Sequence, residues 1–149
     1  EGDYKKGERT GTGIITYANG DKYTGQFLNG EKSGEGTVVW ANGNTYVGQW
    51  EADTPNGHGK LTNKQGDVLE GNFKNGLPNG ECIGHRVDGS KFKTEFKDGV
   101  RNGKTIEENK DGLRFEGSYV NGRRDGDFVE KDRNGNVTAQ GKYVNGRRN

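Results

Sequence analysis

The chain has 149 residues, a formal net charge of +1, 26% apolar residues and 30% charged residues. An apolar share so far below the roughly 45–50% of ordinary globular domains excludes a compact core of normal size. The near-zero net charge gives no general attraction to nucleic acid or to an anionic membrane, and a single cysteine excludes an internal disulfide framework.

A unit of 23 residues repeats along the whole chain. We number repeat positions so that in the first unit each position equals the residue number, and a one-residue slip near Val137 shifts the count afterwards. Position 4 is aromatic in every unit, and glycines recur at positions 2, 7, 11 and 20. Repeats of this length indicate stacked modules that bury a shared layer. The predicted units are 1–22 (truncated), 23–45, 46–68, 69–91, 92–114, 115–138 and 139–149 (partial), and together they suggest a fragment of a longer protein.

The first predicted strand of each unit spans positions 0 to 4. Its aromatic side chains alternate with glycine at period two, as in Tyr23-Thr-Gly-Gln-Phe27, so they share one face of a strand. The glycine between two rings leaves a slot into which a neighbouring ring can lean. The pattern therefore predicts one face of the sheet lined with rings and glycines.

The second predicted strand covers roughly positions 12 to 18, as in Gly11-Thr-Gly-Ile-Ile-Thr-Tyr17. The Asn19-Gly20 pair predicts a two-residue turn with positive φ at both residues, and a longer loop at positions 6 to 11, such as residues 29–34, closes the next hairpin. No segment shows a helical stripe. The predicted fold is all-β: an elongated, curved, single-layer antiparallel sheet of tandem 23-residue hairpins.

The segments Tyr23-Thr-Gly-Gln-Phe-Leu-Asn-Gly-Glu-Lys-Ser-Gly-Glu-Gly36 and Tyr46-Val-Gly-Gln-Trp50 closely resemble the MORN (membrane occupation and recognition nexus) repeat. The resemblance covers the whole chain, and it is closest through residue 62. From Cys82 onward the second glycine of the Gly-x-Gly pattern is lost, and the last units are similar to the divergent MORN variant of bacterial proteins.

The resemblance implies a non-catalytic scaffold that binds another protein or a peptide. Two other roles of the family stay open: membrane contact, and an accessory module beside a catalytic domain that lies outside this sequence. A cytoplasmic location is favoured because no signal or membrane-spanning segment is visible.

The aromatic side chains at positions 0 and 17 are the candidate partner-binding residues. Tyr and Trp suit binding surfaces because they bury area and keep a polar tip. The alternative is that these rings form the core of the sheet. The predicted contact set is Tyr17, Tyr23, Trp40, Tyr46, Phe92 and Phe115.

Cations at positions 8 and 9 form a second candidate site. Equal repeat positions should line up as a stripe along one edge of the sheet, where they could bind anionic lipid (phosphoinositide head groups), acidic protein or nucleic acid. The alternative is a set of solvated turns whose charge prevents edge-to-edge association. The predicted stripe consists of Arg9, Lys32, Arg101, Arg123, Arg124, Arg147 and Arg148.

Catalytic, metal and cofactor sites have little support in the sequence. The Gly-x-Gly pairs lack the lysine and the helix of a phosphate loop. His58, His85 and Cys82 cannot complete a zinc set without carboxylates, and Cys82 stands where other units have a packing glycine. We expect no enzyme activity, no cofactor, no metal and no nucleic-acid partner, and the free sheet ends leave homo-oligomerisation open.

Overall fold

The computed structural model describes the backbone of residues 2–5 and 8–148 and the side chains of residues 10–148. Within these residues it consists of strands and turns, without a helix. The chain divides into two compact units, Glu1–Leu77 and Pro78–Asn149. The predicted all-β fold of tandem antiparallel hairpins is confirmed in each unit.

Strands pair with their neighbours in chain order within each unit, except that the short strand β12 pairs with β11 beside β13. The first unit holds β1 (Gly2–Lys5), β2 (Glu8–Thr16), β3 (Lys22–Leu28), β4 (Glu31–Val39), β5 (Thr45–Glu51), β6 (Thr54–Thr62) and β7 (Val68–Lys74). The second unit holds β8 (Leu77–His85, apart from Leu77), β9 (Lys91–Lys97), β10 (Val100–Glu108), β11 (Arg114–Val120), β12 (Arg123–Arg124), β13 (Gly126–Lys131), β14 (Val137–Val144) and β15 (Arg147–Arg148).

The tight two-residue turn lies at positions 6 and 7, not at the pair predicted from the sequence. Asn29 and Gly30 both have positive φ (52° and 84°), which gives the turn the twist that antiparallel strands require. Strand β4 begins directly afterwards at Glu31, so the predicted loop at positions 6 to 11 is wrong. The sequence contains Asn-Gly pairs at both sites, and only the backbone geometry separates them.

The other connection is longer than predicted. Tyr17 and Asp21 close it, since the Tyr17 amide donates to the Asp21 carbonyl at 2.8 Å. Gly20 has a φ of 100° and donates to the Tyr17 carbonyl at 3.0 Å, whereas Asn19 has no positive φ. The Asn19 side chain instead accepts a hydrogen bond from the Asp21 amide at 3.0 Å, which is a local Asx turn.

A bulge interrupts the second strand of the hairpin near position 11. Gly25 pairs with Gly36 and Phe27 pairs with Lys32, so three residues of β4 face the single residue Gln26. The Gln26 side-chain oxygen accepts the Glu35 amide at 2.6 Å. The extra residues explain why sequence periodicity placed the start of this strand at position 12 rather than position 8.

Successive hairpins are joined at their turns by two further hydrogen bonds. The Gly76 amide donates to the Pro55 carbonyl at 2.9 Å, and the Asn75 amide donates to the Asn56 side-chain oxygen at 3.3 Å. The second unit repeats both bonds at the Asp98-Gly99 turn. These bonds fix the register of neighbouring repeats at one edge of the sheet.

Candidate functional site

The rings at positions 0 and 4 of the first unit form a continuous edge-to-face ladder. Ring centroids are 5.1 Å apart for Tyr23 and Phe27 and 5.3 Å apart for Tyr23 and Trp50. Tyr46 continues the ladder, at 5.4 Å from Trp50 and 5.2 Å from Phe73. Perpendicular pairs of this kind are favoured by the ring quadrupoles. The ladder therefore ties neighbouring hairpins together across the strands.

Glycine pairs at positions 2 and 13 make room for the tyrosine rings. A Cβ atom on Gly36 would lie 2.2 Å from the Tyr23 hydroxyl oxygen and 2.5 Å from its ring, and Gly59 meets the Tyr46 ring in the same way. Gly25 faces Gly36 across the strands, where a side chain would strike backbone. The predicted slot between glycines is confirmed in the first unit.

The polar tips of the buried rings are satisfied by backbone carbonyls. The Tyr23 hydroxyl donates to the Gln26 carbonyl at 2.8 Å, and the Tyr46 hydroxyl donates to the Gln49 carbonyl at 3.0 Å. Trp50 Nε1 donates to a strand carbonyl at 3.1 Å. Burial raises the pKa of Tyr23 and of Tyr46 to about 12, so both remain neutral over the physiological range.

The position 0 aromatics predicted to contact a partner are divided by burial. Tyr23, Tyr46 and Phe115 are 0%, 1% and 7% exposed, so they lie in the packed interior of their own unit. Phe92 is half-buried. Burial leaves the first three almost no surface for direct contact, because intramolecular neighbours cover them.

The two aromatics at position 17 lie at the margin of the ladder. Tyr17 and Trp40 are half-buried and pack against the buried cluster of the first unit. The same position holds Asn63 in the following repeat. Together with Phe92, these two side chains are the predicted contact residues that keep accessible ring surface, and their contact with a partner stays a prediction.

Lys32 lies over the aromatic face of the first unit rather than at a free edge. Its ammonium nitrogen is 5.1 Å from the Tyr17 ring centroid, 5.6 Å from Tyr23 and 5.7 Å from Trp50. Its side chain is 16% exposed, and the Asp53 carboxylate lies 3.6 Å from the ammonium. Cation–π attraction and an ion pair thus hold this lysine over the rings.

Arginines at position 9 cover the rings of the second unit. The guanidinium of Arg101 lies 4.5 Å from the Phe92 ring, and that of Arg124 lies 3.9 Å from the Phe115 ring. Arg148 lies 4.7 Å from the ring of another buried aromatic. These arginines lie beside a buried ring cluster in which the Phe128 ring is 5.9 Å from Phe115 and 4.7 Å from Tyr143.

Arg124 is the most connected of these cations. It donates to the hydroxyl oxygens of Tyr119 at 3.4 Å and Tyr143 at 3.1 Å, and to the Glu107 carboxylate at 3.3 Å. Burial alone would lower the pKa of Arg124, but these hydrogen bonds and the nearby carboxylate raise it above its ordinary value. The group is therefore a permanent positive charge in a fixed orientation.

The predicted cationic stripe is resolved into two rows. Arg123 and Arg147, at position 8, are exposed at the turns. Lys32, Arg101 and Arg124 lie over rings with Arg148, and the side chain of Arg9 falls outside the described residues. The described residues therefore do not form the predicted single stripe, because position 9 faces the rings and position 8 does not.

Small buried side chains fill the second unit where the first has glycine. Cys82, Thr94 and Thr105 are 1%, 1% and 2% exposed, and the two threonine hydroxyls are hydrogen-bonded to each other. Thr94 pairs with both Cys82 and Thr105 across the strands. The prediction that Cys82 occupies a packing slot agrees with this burial.

A depression of about 330 Å³ opens in the second unit beside these arginines. Phe115, Arg124 and Glu107 are among its lining residues. Five cationic and three acidic side chains line it, which gives it a positive excess. The cations are Arg86, Lys91, Arg114, Arg124 and Lys131, and the acids are Glu107, Glu108 and Glu130.

Sequence reasoning overlooked the side chains that hold the bulges. Gln49 accepts the His58 amide at 2.9 Å, as Gln26 does one repeat earlier. The oxygen of Gln49 would lie 2.1 Å from a Cβ atom on Gly57. Aligning the repeats shows a polar residue at position 3 in unit after unit, and that regularity was the available signal.

Among the described residues, no group of three or more His, Cys, Asp or Glu is placed to hold a metal ion. The same part of the chain contains no helix with the length and apolarity that crossing a bilayer requires.

A profile described as the MORN repeat matches residues 1–22, 23–45, 46–68, 70–91 and 115–126. This chain belongs to the MORN repeat family. The first three matches coincide with the units read from the sequence, while the segments 92–114 and 139–149 lie outside the matched MORN repeats. In the segment 92–114, Thr94 and Thr105 stand at the glycine positions 2 and 13.

No curated protein matches the sequence of this MORN-repeat chain. Solved structures similar to it include a mutant TCP10 domain of Danio rerio CPAP, at 23% identity, covering 89% of this chain and 72% of that chain, with a TM-score of 0.42. The wild-type domain, in complex with a peptide of Danio rerio STIL, is 22% identical, with 89% of this chain and 68% of that chain covered and a TM-score of 0.41. The Drosophila melanogaster SAS-4 TCP domain, in complex with a proline-rich motif of Ana2, is 15% identical, with 89% of this chain and 90% of that chain covered and a TM-score of 0.38. These likenesses concern backbone architecture, and the bound peptides are properties of those proteins.

Proposed function

We propose that this chain is a non-catalytic protein-interaction module that binds a polypeptide partner on the ring-bearing face of its hairpins. The observation that carries the proposal is the arrangement of partly exposed rings over a buried ring ladder. Tyr17 and Trp40 sit at equal repeat positions with accessible aromatic surface, and they pack against the buried cluster that contains Tyr23 and Trp50. Rigid aromatics at the edge of a packed layer offer contact area at low entropic cost.

Membership of the MORN family supports the proposal, since tandem repeats of this kind present a continuous surface rather than an enclosed pocket. The ring-bearing face also differs in chemistry from the opposite face. Along β5 the side chains alternate, so that Tyr46 and Trp50 are buried while Val47 and Gln49 are exposed. A partner that binds aromatic rings would therefore bind only the ring-bearing face.

The experiment is a comparative affinity capture with the full chain. Wild type is compared with the pair Tyr17→Ser/Trp40→Ser and with the control pair Val47→Ser/Lys60→Ser on the opposite face. Circular dichroism and thermal melting first establish that each variant is folded. We expect the first pair to lose proteins that the control pair retains. Identical proteins bound by all three would contradict the proposal.

A second candidate function is binding to an anionic membrane surface. The specific observation in its favour is that exposed arginines adjoin exposed valines at the turns of the second unit: Arg123 with Val120, and Arg147 with Val144. Such tips can combine charge attraction with shallow insertion. Sedimentation with phosphatidylserine vesicles should show binding that falls with salt and with Arg123→Gln/Arg147→Gln, and no binding at low salt would eliminate it.

A further inference from the structure

We infer that the second unit carries a docking row for an extended acidic polypeptide segment, formed by Arg101, Arg124 and Arg148. The inference rests on the proposed function, since it assigns a class of partner to the same ring-bearing face. Each of the three guanidinium groups lies over an aromatic ring, at 4.5, 3.9 and 4.7 Å. The rings hold the guanidinium planes in place, which reduces the entropy lost when an acidic group binds.

The carboxylates around the row neutralise it only in part. Glu107 lies 3.7 Å from Arg101 and 3.3 Å from Arg124, and Glu130 lies 3.2 Å from Arg148. Two carboxylates therefore form ion pairs with three guanidinium groups. The adjoining depression has five cationic and three acidic lining residues, so it adds to the positive excess. The side chains of the row are 18%, 33% and 49% exposed, in chain order.

The charge balance of the whole unit points the same way. Residues 78–149 contain fifteen Lys and Arg against twelve Asp and Glu, whereas residues 1–77 contain eight against ten. The second unit therefore attracts an acidic segment, and the first unit does not. Complementary charge of this kind steers association and selects the partner.

The spacing of the row suits an extended chain. Consecutive members are two strands apart, which at about 4.8 Å per strand places them about 10 Å from one another. A polypeptide in the extended polyproline II conformation advances about 3.1 Å per residue with three residues per turn, so every third side chain lies on one face and meets the next guanidinium. Each acid can then accept charge-assisted hydrogen bonds from donors that an arginine still has free.

A polypeptide is favoured over a membrane because the row is partly recessed. Its members lie against rings on the face of the sheet, while Arg123 and Arg147 occupy the exposed turns. A flat anionic surface would meet the turn arginines first. A thin extended segment can reach the row beside the depression.

The experiment measures binding of synthetic peptides to the full chain by fluorescence anisotropy. One peptide carries Glu at every third residue in a Ser/Gly background, and a second has the same composition with its Glu residues clustered. The chain is tested as wild type, as Arg124→Gln, as Arg148→Gln and as the control pair Arg123→Gln/Arg147→Gln. Arg148→Gln keeps the test decisive if Arg124→Gln unfolds, because the Arg148 side chain is half exposed.

We expect the spaced peptide to bind more tightly than the clustered one. Each row substitution should weaken its binding at least about fivefold, and the control pair less than about twofold. Equal losses for row and control variants, or equal binding of both peptides, would overturn the inference. So would phosphatidylserine vesicles that compete with the peptide and show the same sensitivity to the row variants. If the peptide fails while the capture experiment still depends on Tyr17 and Trp40, the inference falls and the proposed function stands.

Discussion

The two units cover the rings of a single sheet layer in different ways. In the first unit tyrosine rings lean into glycine slots and meet other rings edge to face. In the second unit Thr94 and Thr105 fill the space of the glycines at positions 2 and 13, and the Phe92 ring packs against Gly84 instead. Three arginines from position 9 lie over its rings, where the first unit has Lys32. Where the position 13 glycine is lost, position 0 is Leu69, Phe92 or Phe115, none of which carries a hydroxyl that must reach a backbone carbonyl.

Across the two units, the repeat preserves strand geometry more strictly than core chemistry. The two-residue turn with positive φ occurs at Asn29-Gly30 and equally at Asn121-Gly122. The bulge at Gly34 likewise returns at Gly103, with Glu95 in place of glutamine beside it. Backbone hydrogen bonding demands these features in every repeat, whereas several combinations of side chains can exclude water from the rings.

The largest expected effect of a single substitution is at the centre of the ring ladder. Trp50→Ala removes contacts with Tyr23 and Tyr46 and should lower the free energy of unfolding by about 4 kcal/mol. The matched change is Tyr119→Ala at the same position in the second unit, where the ring is half-buried, and about 2 kcal/mol is expected there. Urea denaturation followed by circular dichroism measures both, and equal losses would argue against the distinction.

Adding a methyl group to a glycine slot should have the next largest effect. Gly36→Ala pushes a Cβ atom into the Tyr23 ring, and a loss of about 3 kcal/mol is expected. In the second unit the same repeat position holds Cys82, and Cys82→Ala should cost about 1 kcal/mol because it leaves a small void. Urea titration measures the free energy of unfolding of both variants. An unchanged value for Gly36→Ala would show that the slot is absent.

The threonine pair of the second unit permits a double-mutant cycle. Thr94→Val alone leaves the buried Thr105 hydroxyl without its hydrogen-bond partner and should cost about 2 kcal/mol. Changing both residues to valine removes both hydroxyls and should cost less than about 1 kcal/mol. The unfolding free energies of the four proteins give the coupling, and additive losses would rule out the bond.

The smallest expected effect on stability near neutral pH comes from the titration of the buried Tyr23 and Tyr46, which matters only in alkali. Their pKa is raised from 10.0 to about 12, so the folded state retains protons that the unfolded state releases. The stabilisation is complete below pH 10 and is lost as pH rises to about 12. Tyrosinate absorbance against pH should show late-titrating groups that disappear in Tyr23→Phe/Tyr46→Phe, and a single normal transition in wild type would refute this.

Sequence periodicity was sufficient to predict the fold class, the ring-lined face and the glycine slots. It failed on the turns, because Asn-Gly occurs at both ends of each hairpin and composition does not report φ. It also placed Lys32 and Arg124 in one edge stripe together with Arg123. The two-residue turn at positions 6 and 7 pairs position 9 with position 4, on the ring-bearing face, and the loop predicted at positions 6 to 11 concealed this register.

The most direct test of the account is the nuclear Overhauser effect between glycine Hα protons and tyrosine ring protons in the first unit. The packing of tyrosine rings into glycine slots predicts strong cross-peaks from Gly36 to the Tyr23 ring and from Gly59 to the Tyr46 ring. A Cβ atom at either glycine would lie within 2.5 Å of the ring. Well-resolved spectra in which these glycines show no contact with the tyrosine rings would contradict the proposed packing and remove the support beneath Tyr17 and Trp40.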